Sequence, residues 1–166
     1  MENTIPAIVI AGVLIISAAV LGNVTNRSVS NVGDAWRDME AVSEQRLGTE
    51  LEPVSATLDG GNQVVTLTLE NNGRTSISNF GRMDVIANYD GLTGRFSTWL
   101  AYTELALQPD NSWRVTGILN DNKNPGILDN GEQLTIDVQL TPAVDGPTNR
   151  WLSVATETGV TYTVTF

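Results

Sequence analysis

The chain has 166 residues and a formal net charge of -10, with no Cys, no His and Lys123 as its single Lys. Without Cys there are no disulfides, thiolate metal sites or thiol nucleophiles, and without His the usual general base near neutral pH and the commonest metal ligand are gone. The negative balance repels a phosphate backbone, because nucleic-acid affinity comes largely from Lys and Arg displacing counterions, so no nucleic-acid partner is expected.

The first predicted element opens with Ile5 to Gly22, IPAIVIAGVLIISAAVLG, in which no side chain is charged and only Ser17 carries a hydroxyl. A hydrocarbon core of about 30 Å needs roughly 17–25 residues of helix, so this run meets the minimum for a span. Ile8, Val9, Ile10, Val13, Leu14, Ile15, Ile16, Val20 and Leu21 point all round a helical wheel, which excludes an amphipathic surface helix. The leader Met-Glu-Asn-Thr holds no basic residue, unlike that of a secretory signal peptide, and the tract is expected to belong to the mature protein. It is read as a membrane anchor, an assembly helix, or both in succession.

Pro6 suits the first turn of a helix that begins around Thr4. Beyond Gly22 the sequence turns polar without breaking. Val29, Val32, Trp36, Met39, Val42 and Leu47 recur at mostly three- and four-residue steps, and Asp34, Arg37 and Glu40 alternate in sign at i,i+3. This predicts an amphipathic continuation over 23–47, with Gly48 as the stop and a total length of roughly 65 Å. Gly22, Asn23, Ser30 and Gly33 are candidate kinks. The division is therefore a helical segment 1–48 followed by a second domain, 49–166.

From Glu50 onward the period changes to two. QVVTLTLEN sets Val65, Leu67 and Leu69 against Thr66 and Thr68; EQLTIDVQL and GVTYTVTF repeat the pattern. Turn clusters such as Asp59-Gly60-Gly61-Asn62, Asn71-Asn72-Gly73 and Asp129-Asn130-Gly131 separate strands expected at 52–58, 63–71, 83–90, 97–106, 112–118, 132–141, 150–156 and 160–166. The fold class is α+β, a long N-terminal helix followed by an immunoglobulin-like all-β sandwich. Trp99, Trp113 and Trp151 are expected to be partly in its core.

Three stretches are site-like. NDNKNPGILDNGE, 120–132, is crowded with oxygen ligands, but Pro125 stands where an EF-hand loop needs Gly and Glu132 falls one place late, so a pair of ordinary turns is expected. Asp84, Asp90, Asp110 and Glu104 offer carboxylates for glycosidase chemistry, with no motif around them, and solvated loop positions are expected. Asn23 and Asn26 head two N-x-Ser/Thr sequons and are candidate glycosylation acceptors. No catalytic residue, metal or cofactor is assigned, and the chain is expected not to be an enzyme.

The order of apolar helix, amphipathic extension and sandwich resembles the type IV pilin-like superfamily, and within it the archaellins and their accessory proteins. Residue-level support comes from IPAIVIAGVLIISAAVL, with LENNGRTSI, GRMDVIANY and NPGILDNGE similar to sandwich segments of that group. Ile5 stands where bacterial pilins carry Glu, which favours the archaellin-like branch; Glu2 and Pro6 match neither pattern. The resemblance implies a prepilin peptidase that removes a basic leader, consistent with a processed chain beginning at Met1, and an assembly platform. It implies a homopolymer at the cell surface, inserted in the cytoplasmic membrane before assembly, with Ile5, Ala7, Ile8, Ala11, Gly12, Leu14, Ile15, Ala18, Ala19 and Leu21 packing in a central helical bundle. Small residues among these allow close helix approach. A membrane-anchored accessory or stator-like binding protein is the second reading, an adhesive pilin a variant of the first, and an anchored carbohydrate-active enzyme a third.

Overall fold

The structure, a computed structural model, describes residues 4–107 and 111–166, and the side chains of all of these except 4–11 and 22–30. The helical element α1 covers Thr4–Gly48. Eight strands follow: β1 (Leu51–Leu58), β2 (Val64–Asn71), β3 (Asp84–Gly91), β4 (Gly94–Tyr102), β5 (Ser112–Leu119), β6 (Gln133–Gln139), β7 (Trp151–Ala155) and β8 (Thr161–Thr165), with one 3-10 turn at Phe80–Arg82 before β3. The chain divides into two compact units, Met1–Ser43 and Glu44–Phe166. The first is helical. The second holds the last turn of α1 and every strand.

The strands run in the order β1-β2-β6-β5-β4-β3-β7-β8. All neighbours are antiparallel except β4 and β5, which are parallel and paired only through Ala101↔Ser112 and Tyr102↔Trp113. That short link is a corner between two four-stranded layers, β1-β2-β6-β5 and β4-β3-β7-β8. The order is the A-B-E-D against C′-C-F-G arrangement of a Greek-key sandwich.

Alternation decides what lies between the layers. Val65, Leu67 and Leu69 of β2 are fully buried, as are Leu134, Ile136 and Val138 of β6, while the Thr residues between the β2 leucines stay half-exposed. From the other layer Val85, Ala87 and Tyr89 of β3, Leu100 of β4 and Leu152 and Val154 of β7 join the same core. Tyr89 stacks on Phe96 with ring centroids 5.7 Å apart, and Tyr102 meets Trp113 across the corner at 4.8 Å.

Two expectations need correction, and a third, the stop at Gly48, holds for a different reason. β4 begins at Gly94 and ends at Tyr102, where 97–106 was predicted, because a two-residue turn follows Gly91 and Thr103 N–H is already bonded to Trp113 O. Trp99 is not a core residue: it is 58% exposed, since Leu100 occupies the inward position beside it, whereas Trp113 is fully buried and Trp151 half-buried. Gly48 ends α1 for a reason other than a left-handed cap. Its φ is not positive; a Cβ there would stand 2.6 Å from Thr75 Oγ1, so a larger residue would have to push the Thr75 hydroxyl aside.

Edges are treated unequally. β1 carries Pro53 and a bulge between Pro53 and Ser55, which leaves Val54 as the extra, exposed residue, and β5 is bulged between Val115 and Gly117. Such irregularities discourage further strand pairing.

Candidate functional site

Surfaces and a junction, rather than a pocket, concentrate the unusual features. On α1, Val13, Leu14, Ile15, Ile16, Val20 and Leu21 are all exposed, Ile15 by 71%, and Gly12 partly so. Ala18 and Ala19 are exposed with them. Of the residues predicted to pack in a helical bundle, Ile5, Ala7, Ile8 and Ala11 have side chains outside the described ones, as do the sequon residues Asn23 and Asn26. Among the described residues no helix is long and apolar enough to cross a membrane. Further along, Val32, Ala35, Trp36 and Met39 line a shallow apolar concavity, with Trp36 67% exposed. This is the i, i+3, i+4, i+7 stripe expected of the amphipathic half.

The last turn of α1 is held by the sandwich. A helix leaves its final carbonyls without intrahelical partners, and here Thr49 and the β2–β3 loop supply them. Gly48 O accepts the N–H groups of Arg74 at 2.7 Å and Thr75 at 3.0 Å, and Gln45 O accepts the hydroxyls of Thr49 at 2.7 Å and Thr75 at 3.2 Å. From the other side, Arg46 Nε donates to Thr158 O at 2.5 Å in the β7–β8 turn, and Tyr162 Oη donates to Thr49 O at 3.1 Å. Gly159, at φ +78°, makes room: a Cβ there would lie 2.6 Å from Arg46 Nη2.

Beside this junction, Asn71 is a buried hub. Its Nδ2 donates to Thr75 O and Leu128 O, both at 3.0 Å, and its Oδ1 accepts Gly73 N–H at 3.0 Å. The oxygen-rich loop 120–132 hangs from it. Asp129 Oδ1 accepts the Ser76 hydroxyl at 2.5 Å and Oδ2 accepts Asn124 Nδ2 at 2.7 Å, while Glu132 Oε2 accepts Asp129 N–H at 2.9 Å. The Ser76 hydroxyl, then Asn124, hold the Asp129 carboxyl below its ordinary value. These oxygens are spent on turn geometry. Among the described residues no three acidic side chains group in a way that holds a metal.

The carboxylates considered for hydrolytic chemistry do not converge. Asp84 accepts the Trp99 indole N–H at 2.9 Å, and Asp90 pairs with Arg95 at 3.1 Å. Six residues apart on β3, they stand about 20 Å from each other at some 3.3 Å per residue, well beyond the spacing of a glycosidase pair. Glu104 acts on Tyr102, whose hydroxyl is pushed up mainly by burial and then by that charge. Asp110 lies outside the described residues.

The two outer faces differ. On the β1-β2-β6-β5 layer the rows are polar, for example Thr57, Thr66, Asp137 and Arg114, with Thr66 Oγ1 donating to Asp137 at 2.9 Å. On the other layer exposed Trp99 lies opposite exposed Ile86, which lies opposite Ser153. Sequence reasoning missed both this face and the junction. Trp99 alternates correctly for either face, and the junction is made by contacts distant in the chain: Gly73 against Gly48, Arg46 with Thr158 and Thr49 with Tyr162.

No family model and no curated protein sequence matches this chain. Solved structures do. The chain shares its fold with the archaellum stator protein FlaG. The periplasmic stator protein FlaG from Sulfolobus acidocaldarius superposes with a TM-score of 0.53 at 22% identity, covering 71% of this chain and 99% of FlaG. The FlaF and FlaG complex from the same organism gives 0.51 at 23% identity, over 71% and 89%. The archaeal flagellin FlaB1 from Methanocaldococcus jannaschii gives 0.47 at 15% identity over 71% and 88%, too loose a match to argue from. At these identities the likeness to FlaG is one of fold.

Proposed function

We propose that this chain is a structural, non-enzymatic component of an archaellum-type motility machine, with its sandwich acting on the cell-surface side as a stator-like binding module. The observation that carries this reading is the shared fold with FlaG over nearly the whole of that protein. The apolar helix fits the role, since a module that resists motion must be held, and residues 13–21 offer lipid an uncharged surface on every side. FlaG is described in a complex with FlaF, so a second protein of the same machine is the partner class to seek. The exposed Trp99 and Ile86 face is one apolar surface of the sandwich available to it.

One observation favours a filament subunit as the second reading. An apolar segment exposed all round is satisfied equally by copies of itself, and Gly12, Ala18 and Ala19 allow close approach in a bundle. Assembly would then exchange lipid for protein and build an open helix.

Shearing separates the two. Cells that produce the chain are sheared, and the released surface filaments and the remaining envelope are analysed by mass spectrometry. The stator-like reading expects the chain to stay with the envelope and to cross-link to archaellum components; finding it as the main constituent of the sheared filaments replaces that reading with the second.

A further inference from the structure

We propose that strand β8 is a pairing edge, and that its occupant is β8 of a second copy of this chain, antiparallel and centred on Thr163. β1 and β8 stand at the two ends of the strand order. β1 is guarded by Pro53 and its bulge. β8, reading TYTVT, has no Pro, no bulge and no charge, and its register against β7 is unbroken from Ala155↔Thr161 to Trp151↔Thr165.

The ladder shows which backbone groups are left over. Thr156 N–H bonds Val160 O at 2.9 Å where the β7–β8 hairpin opens, and bonded and non-bonded pairs alternate from there along antiparallel strands. Tyr162 and Val164 therefore turn their N–H and C=O groups to β7, while those of Thr161, Thr163 and Thr165 point to the free side. No described residue bonds them there. All three threonines are exposed. Such a row is a template for one more extended strand.

The pattern of the row selects a second copy. Turned end for end about Thr163, TYTVT sets Thr161 of each copy against Thr165 of the other and Thr163 against itself, and each of these pairs can exchange both N–H···O bonds. Between them Tyr162 meets Val164, an aromatic and β-branched pair, and threonine meets threonine on the outer face; both pairings stabilise sheets. From Thr158 to Phe166 no side chain is charged, so two copies of a chain of net charge -10 meet here without like charges opposed. The contact is the same on both copies and closes as a twofold dimer, joining the two β4-β3-β7-β8 layers into one continuous sheet. It lies wholly within the sandwich and goes beyond the stator-like reading, in which the module then works as a pair.

The chain has no Cys, so single thiols report the pairing. In the full chain held in detergent micelles, Thr163→Cys is expected to oxidise to a disulfide-linked dimer, because a bonded antiparallel pair sets its Cα atoms about 5.5 Å apart, within disulfide reach. Thr161→Cys and Thr165→Cys, each alone, are expected to give about fivefold less dimer, and mixing the two is expected to restore it. Thr57→Cys, exposed on β1, measures chance encounters within a micelle. Adding Thr163→Pro to both members of the mixture removes the outward N–H and spares the bonds to β7, and is expected to abolish the dimer while the sandwich still melts cooperatively. Thr163→Lys, which opposes two like charges, serves if that variant does not fold. Three results overturn the proposal: no more dimer from Thr163→Cys than from Thr57→Cys, Thr161→Cys alone linking as well as Thr163→Cys, or Thr163→Cys on cells linking to a different protein in place of a second copy.

Discussion

Gly73 lies directly beneath the end of the helix, so close to Gly48 that a Cβ on Gly73 would overlap the Gly48 carbonyl oxygen and the Glu50 backbone nitrogen. Both obstacles are backbone atoms with bonds of their own, so neither can move aside cheaply. Gly73→Ala should therefore cost about 3 kcal/mol of stability, the upper part of the range for overpacking. Gly117→Ala is the control, because a Cβ there meets nothing within 4 Å. Urea melts of the two variants should differ by most of that amount.

Asn71→Ala should be among the most damaging single changes in the sandwich. It removes two donors that satisfy Thr75 O and Leu128 O and the acceptor for Gly73 N–H, at a fully buried position. Each orphaned buried group costs about 1–3 kcal/mol, and the loss should appear as a large drop in urea midpoint with a little-changed slope. A drop under about 1 kcal/mol would mean that water replaces the amide.

Tyr89→Phe should raise stability. The Tyr89 hydroxyl is fully buried and has no hydrogen-bond partner among the described residues, and burial pushes its pKa up. Removing an unsatisfied hydroxyl while keeping the ring on Phe96 should gain about 1 kcal/mol. Calorimetry that shows a lower melting temperature would point to an ordered water bonded to that oxygen.

Acid should destabilise the fold partly through Asp59 and Asp129, both held below the ordinary value of 3.8. For Asp59 the cause is donation by the Val64 and Gln63 N–H groups, for Asp129 donation by Ser76 and Asn124. A carboxyl lowered on folding contributes stability in full above its unfolded value and loses it as pH falls from there through the lowered one. Asp129→Asn should thus reduce stability at pH 7 and flatten its decline below about pH 4. An unchanged acid limb would remove Asp129 from the account.

Calcium should leave the melting temperature unchanged. The Asp129 and Glu132 oxygens already bond Ser76, Asn124, Asn122 and the Asp129 amide, and a cation would have to displace them. Scans with calcium and with chelator test this; a rise with the ion and a fall without it would make loop 120–132 a binding site.

The local periods are written in the chain, and through them the elements and the core. QVVTLTLEN and EQLTIDVQL alternate so regularly that only one face of each strand can be buried, and all eight strands were legible within a few residues. The uncharged run at 5–22 likewise announced a surface that water cannot cover. Packing, not period, sets which side of β4 faces inward, where Leu100 prevails over the larger Trp99, and requires glycine at 73. Periodicity reports neighbours a few residues apart along one element. The junction joins Gln45 to Thr75, Arg46 to Thr158 and Thr49 to Tyr162, pairs whose meeting is set by strand order.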